Sequence, residues 1–153
     1  MLNEQAPINA YLQSKVMSAS PEELRLMLLD GSIRFAYQAK AGLENKDHEQ
    51  IYLGFSQCRD IVLELLNTIK PEHAPEIAKR VSDLYNFMYG ELVRCNSDRD
   101  LAGLEKIIKL LEYERETWAM LMEQQSKEKS SPTAQPNPYA AAPMSPQPLS
   151  IQA

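Results

Sequence analysis

From Ser20 to Ser126, apolar residues return every three or four positions, and the rhythm breaks only at GLENKD, KPEHAP and CNSDRD. That spacing belongs to α-helices with one dry face. Strands would need alternation and clusters of β-branched residues, and this stretch has neither. Three breaks leave four helical segments joined by short links, and short links favour antiparallel neighbours. The expected fold is all-α: an antiparallel up-down four-helix bundle spanning residues 20–126, after a short N-terminal segment at 1–19 and before a tail at 127–153.

Local chemistry sets the boundaries. The stretch SASPEELRLMLLDG offers Ser20 as N-cap, Pro21 at the first helical position and Glu23 three residues after the cap, the pattern of a capping box. The first helix runs to about Gly42. Asp47 is the cap of the second, which runs to about Ile69 before two prolines stop it. The third covers Pro75 to Cys95, with Asn96 suited to a left-handed C-terminus. Asp98 or Asp100 caps the fourth, which runs to about Gln125. In the first helix Leu24, Leu26, Met27, Leu28 and Leu29 point nearly all the way round, which predicts a central helix surrounded by its neighbours. Gly31 then suggests a close backbone approach. Beyond Gln125 lie six of the ten prolines and no charge after Lys129, a composition that does not favour order.

The remaining bulk properties narrow the function. A net charge of −5 gives no electrostatic drive towards nucleic acid. No run approaches the length of a membrane span, and MLNEQAPINAY lacks the basic and apolar regions of a signal peptide. Cys58 and Cys95 fall at apolar helical positions, as buried free thiols of a reducing cytoplasm would; the alternative is a disulfide between facing helices, whose distance the sequence does not fix. Catalytic signatures are missing. There is no Glu-x-x-His pair of a di-iron bundle, no phosphate loop and no cysteine zinc pair. His48 and His73 sit at helix edges, and Glu112 and Glu116 share a charged face with Glu114 and Arg115. No catalytic residue, metal or cofactor is expected, and a binding protein is favoured over an enzyme.

The dry faces are wider than a bundle requires. In the second helix Ile51, Phe55, Cys58, Val62, Leu65, Leu66 and Ile69 form the stripe, and Ile61, Tyr52 and Leu63 widen it to an arc of roughly 200°. In the third, Ile77, Val81, Leu84, Met88, Leu92 and Cys95 are flanked by Phe87, Tyr85 and Tyr89. The surplus either thickens the core or forms a partner groove. Tyrosine suits the latter, with a ring that buries and a hydroxyl that stays wet. Both hold if the N-terminal segment covers the groove in one state and leaves it in another.

Specific residues point further. Ile8-Asn9-Ala10-Tyr11, Ser18 to Leu24 and Met27 to Gly31, then Asp83 to Tyr89 with Leu92 and Asn96, then Arg115 and Trp118 in RETW, resemble in order the flagellin-specific export chaperones of the FliS family. The resemblance covers about Ile8 to Gln125. It departs at Gly90-Glu91, where the family often carries arginines, and the proline-rich tail lies outside it. It implies a cytoplasmic chaperone that binds the disordered C-terminal segment of flagellin, prevents premature polymerisation and delivers it to the type III flagellar export gate, a further contact. The alternative is a bundle adaptor or regulator for another amphipathic helix. No nucleic acid, membrane insertion or small-molecule substrate is expected. The candidate partner-binding residues are Ile8 and Tyr11 on the N-terminal lid, with Tyr52, Phe55, Leu63, Tyr85, Met88 and Tyr89 in the groove.

Overall fold

Ser20 holds the first turn of its helix as expected, its Oγ accepting the Glu23 N–H at 3.1 Å. The glutamate half of the capping box is not formed. The computed structural model in which this is seen describes residues 5–72 and 74–130, with side chains from residue 9 onward. His73, the Ile8 side chain and the tail from 131 lie outside the described residues. Among those described there are five helices and no strand: α1 (Gln5–Ser18), α2 (Pro21–Asn45), α3 (His48–Asn67), α4 (Pro75–Asp98) and α5 (Leu101–Ser130). Two units are distinguished along the chain, Met1–Ala119 and Met120–Ala153. The core lies in the first. The second begins with the last turns of α5, where Lys127 pairs with Glu123 at 3.3 Å.

Caps explain the ends. Asp47 Oδ1 accepts the N–H groups of Glu49 and Gln50 and starts α3. Asp100 Oδ1 accepts the Gly103 N–H at 2.9 Å and starts α5, whereas Asp98 is the last residue of α4. Several expected boundaries move. α2 continues past Gly42 to Asn45 and turns at Lys46, with φ 56°. α4 continues past Cys95, and Arg99, not Asn96, takes the left-handed position, with φ 53°. Asn96 instead accepts the Arg99 guanidinium on its side chain at 2.7 Å and its carbonyl at 2.8 Å. α5 passes Gln125 to Ser130, because SKEKS contains no proline and suits a helix as well as it suits a tail.

One hydrophobic core draws on α2 to α5, from Leu29 and Ala36 through Phe55, Val62, Tyr85, Met88 and Leu92 to Leu104 and Leu111. Each large side chain so buried stabilises the fold by roughly 1.5–3 kcal/mol. Cys58 and Cys95 are buried free thiols, and burial pushes the Cys58 thiol up to about 12.

The α2–α3 seam is the tightest part. A Cβ on Gly54 would collide with the Ala39 backbone, 2.6 Å from its Cα, and one on Gly42 would lie 2.7 Å from the Ile51 nitrogen. The facing pairs 39–54 and 42–51 run in opposite senses, so these two helices are antiparallel. The close approach expected at Gly31 is therefore found elsewhere: its nearest neighbour is the tip of the Ile61 side chain at 3.4 Å, an ordinary contact. Nor is α2 enclosed along its whole length. Its buried positions form one stripe (Leu29, Gly31, Ser32, Ala36, Ala39, Gly42), while Leu24, Leu26, Met27 and Leu28 are only half-buried. Small residues on the stripe bring α3 in close, and the large ones nearer the N-terminus keep neighbours at a distance.

Candidate partner-binding surface

The six expected groove positions divide into three that are buried and three that reach the surface. Phe55, Tyr85 and Met88 are core residues with essentially no exposed surface, so no partner reaches them while the helices stay packed. Tyr52 and Leu63 are 68% and 41% exposed, and Tyr89 is half-buried at the edge of the core. Tyr52 and Leu63 are eleven residues apart, three helical turns, and so share one side of α3. The other side of that helix faces α2, as Gly54 against Ala39 and Ile61 against Gly31 show. On α4, Phe87, Glu91 and Arg94 turn towards α5, which leaves Tyr89 and exposed Val93 on the α3 flank. Tyr52, Leu63, Tyr89 and Val93 therefore border the seam where α3 packs on α4. This is surplus apolar surface with hydroxyls at its rim, suited to a protein ligand.

The N-terminal residue Tyr11 lies on α1 and is 65% exposed, as part of a helix whose Leu12, Val16 and Met17 are exposed as well. Among the described residues, no apolar side chain of α1 is buried against the other helices. Ile8 is helical, but its side chain lies outside the described residues.

A polar bracket, absent from the sequence-based candidates, explains why Tyr85 is inside. Arg25 donates from Nη1 to Thr68 Oγ1 at 2.8 Å and from Nη2 to the Tyr85 hydroxyl at 3.2 Å. Its guanidinium lies 5.5 Å from the Tyr85 ring centre and 5.3 Å from that of Trp118, within cation–π range. The Tyr85 hydroxyl donates on to Glu114 Oε2 at 3.2 Å. Burial is the main reason its phenol is pushed up to about 12, and Glu114 adds to the rise while Arg25 opposes it. Trp118 Nε1 donates to the Glu22 carbonyl at 2.9 Å, and Arg115 pairs with Asp30 at 2.8 Å. The RETW pair thus fastens α5 to α2. The one available signal was a lone charge inside the apolar run LRLMLL.

Glu112 and Glu114, placed by sequence on a solvated charged face, each accept a tyrosine hydroxyl, from Tyr37 and Tyr85. Among the described residues no group of three His, Cys, Asp or Glu side chains converges as a metal site would. No helix described is long and apolar enough to cross a membrane.

These features define a class: a helical scaffold that closes its own core and keeps apolar surface in reserve beside one of its seams. Its lineage is equally plain. The family model for the flagellar protein FliS matches residues 4–125, and the chain belongs to that family. The flagellar secretion chaperone FliS of Salmonella typhimurium is 32% identical over 128 residues, covering 80% of this chain and 95% of that one. Its namesake from Bacillus subtilis is 29% identical over 125 residues, covering 82% and 92%. That of Campylobacter jejuni is 31% identical over 110 residues, covering 72% and 86%.

Proposed function

We propose that this chain is a non-enzymatic chaperone of flagellar secretion. It binds the disordered C-terminal segment of flagellin in the cytoplasm, keeps flagellin from polymerising early and hands it to the export gate. In this reading α2 to α5 act as an up-down antiparallel four-helix bundle, and an amphipathic stretch of the ligand lies along the α3–α4 seam as a helix in a groove. The observation that carries the reading is the exposed pair Tyr52 and Leu63, three turns apart on a helix whose core stripe is already complete. A ligand placing apolar residues at the same interval would cover both. Ordering such a segment costs about 2–5 kcal/mol, so the contact must be extensive, yet that cost also favours later release. The N-terminal segment, with Tyr11, Leu12 and Val16 exposed on α1 in this structure, is a lid that covers the seam in a second state and leaves it in this one.

Calorimetry with a flagellin C-terminal peptide tests the proposal. Tyr52→Asp and Leu63→Asp should each weaken binding by roughly tenfold or more, as an unpaired charge in an apolar contact does, with helical content and melting unchanged. Wild-type affinity in both variants would remove the α3–α4 seam as the site. No binding by the native chain would remove flagellin as the ligand.

A further inference from the structure

Among the described residues, α1 is the one helix that gives no side chain to the core. Its Tyr11, Leu12, Val16 and Met17 are all exposed. At 100° per residue Tyr11, Leu12 and Val16 share an arc of about 140°, a width that a groove between two other helices can enclose. The α3–α4 seam is uncovered as well, with Tyr52, Leu63 and Val93 open to solvent. Whose α1 closes that seam is decided by the joint between α1 and α2.

Only Ala19 and Ser20 separate the two helices. Ser20 is held by its cap, Trp118 Nε1 donates to the Glu22 carbonyl, and Arg25 bonds to Thr68 and Tyr85. The start of α2 is therefore fastened to its neighbours. Tyr52 and Leu63 lie on the side of α3 away from α2, so an α1 seated on its own seam must first cross α3. That helix with its side chains is about 10–12 Å wide, whereas two residues span about 7 Å at most. The crossing would unwind the last turn of α1 and take Val16 and Met17 out of the helix. A second copy imposes no such loss, because its seam can come to an intact α1.

We propose that two copies of this chain exchange α1, each laying the helix along the α3–α4 seam of the other. The proposal rests on the reading of α1 as a lid and names whose seam the lid closes. Exchange about a two-fold axis makes two identical seats. Half the side of a 14-residue helix, about 21 Å long and 10 Å across, is about 330 Å². Counting both faces of both seats, the pair buries roughly 1,300 Å², at the low end of the range of about 1,200–2,000 Å² for specific interfaces. A single seat buries about half of that, the size of an incidental contact, so the closed pair is the stable form. The one charge on α1, Lys15, is opposite in sign to the net −5 of the chain it joins. An interface this close to the lower limit comes apart readily, as a cover that a ligand displaces must.

Sedimentation equilibrium of the full chain, with cysteine cross-linking, tests this. The native chain should pass from monomer to dimer as concentration rises. Leu12→Asp should raise the dimer dissociation constant by about tenfold or more, as a charge placed in an apolar contact does. A copy carrying Leu12→Cys should form a mixed disulfide with a copy carrying Leu63→Cys. That reaction should run at least about tenfold faster than with Glu105→Cys, exposed on α5, because docking raises the local concentration of the paired thiols. Cys58 and Cys95 are buried and take no part. A monomer at every concentration, or equal cross-linking to Leu63→Cys and Glu105→Cys, would overturn the exchange. If that monomer still binds a flagellin C-terminal peptide, the seam reading stands without it. A dimer that cross-links as expected but neither binds the peptide nor dissociates in its presence removes flagellin as the ligand and supports the exchange.

Discussion

The α2–α3 and α4–α5 seams are built on opposite plans. At the first, Ala39 meets Gly54 and Gly42 meets Ile51 backbone to backbone, so nothing lies between the helices that can yield. At the second, a Cβ added to Gly103 would meet Asp100 Oδ2 at 2.6 Å, Cys95 Sγ at 2.7 Å and Arg94 Nη2 at 3.0 Å, all of them side-chain atoms. Long charged chains span that seam and leave a cavity beside them. Contact through small residues makes a rigid pair. Contact through arginine and carboxylates leaves room and adaptable surface. A protein that holds a pliant ligand needs both, a frame that keeps its shape and edges that accept something new.

The glycines test this contrast most severely. Gly54→Ala should cost about 3 kcal/mol or more, because the new methyl meets fixed backbone. Gly103→Ala should cost less, about 1–2 kcal/mol, since Arg94 and Asp100 are partly exposed side chains that can move, while the buried Cys95 Sγ must be displaced. At Gly90 nothing lies within 4 Å, and alanine there should stabilise α4 by up to about 1 kcal/mol. Urea denaturation of the three variants gives the order. Equal losses at Gly54 and Gly103 would mean the two seams are alike.

A smaller effect is expected where α2, the end of α3, α4 and α5 meet at the Arg25 bracket. Arg25→Ala removes the donor to the enclosed Tyr85 hydroxyl and the cation beside Trp118, and should cost about 1–3 kcal/mol. Because Trp118 is the sole tryptophan, its fluorescence should change in the folded state too. Arg25→Lys keeps the charge but loses the forked geometry, and should recover only part of the loss. An unchanged melt and emission spectrum in Arg25→Ala would show that the bracket contributes nothing.

Much of the frame was legible in the sequence because caps and periodicity are local. Ser20, Asp47 and Asp100 act within three residues, and the stripes through Phe55 and Leu92 follow from 3.6 residues per turn. What decided the surface was not local. Tyr85 and Tyr89 occupy adjacent turns of one flank, yet Arg25, sixty residues away, draws Tyr85 inside and leaves Tyr89 at the edge. In the same way a glycine announces freedom without naming its neighbour. Gly31, Gly42 and Gly54 read alike in sequence, and only the register of α2 on α3 makes two of them indispensable. The Arg94 fan was illegible because its acids, Glu91, Asp98 and Asp100, are scattered across a helix end whose position was itself misplaced.

That fan supplies the smallest expected effect and the one most easily misjudged. Three ion pairs around one guanidinium suggest a strong clamp, but every partner is partly exposed, and exposed pairs contribute little. The folded-state carboxyls of Glu91 and Asp100 lie below their ordinary values, with Arg94 the largest cause for Glu91 and second to the Gly103 N–H for Asp100. A depressed carboxyl contributes stability above its unfolded value and loses that contribution as pH falls through the folded one. Arg94→Gln should therefore lower the urea midpoint slightly at pH near 7, less than Arg25→Ala does. The gap to wild type should close as pH falls below the ordinary carboxylate range near about 4. A gap that widens in acid would mean that Arg94 acts through packing, and would place the α4–α5 seam with the rigid half of the molecule.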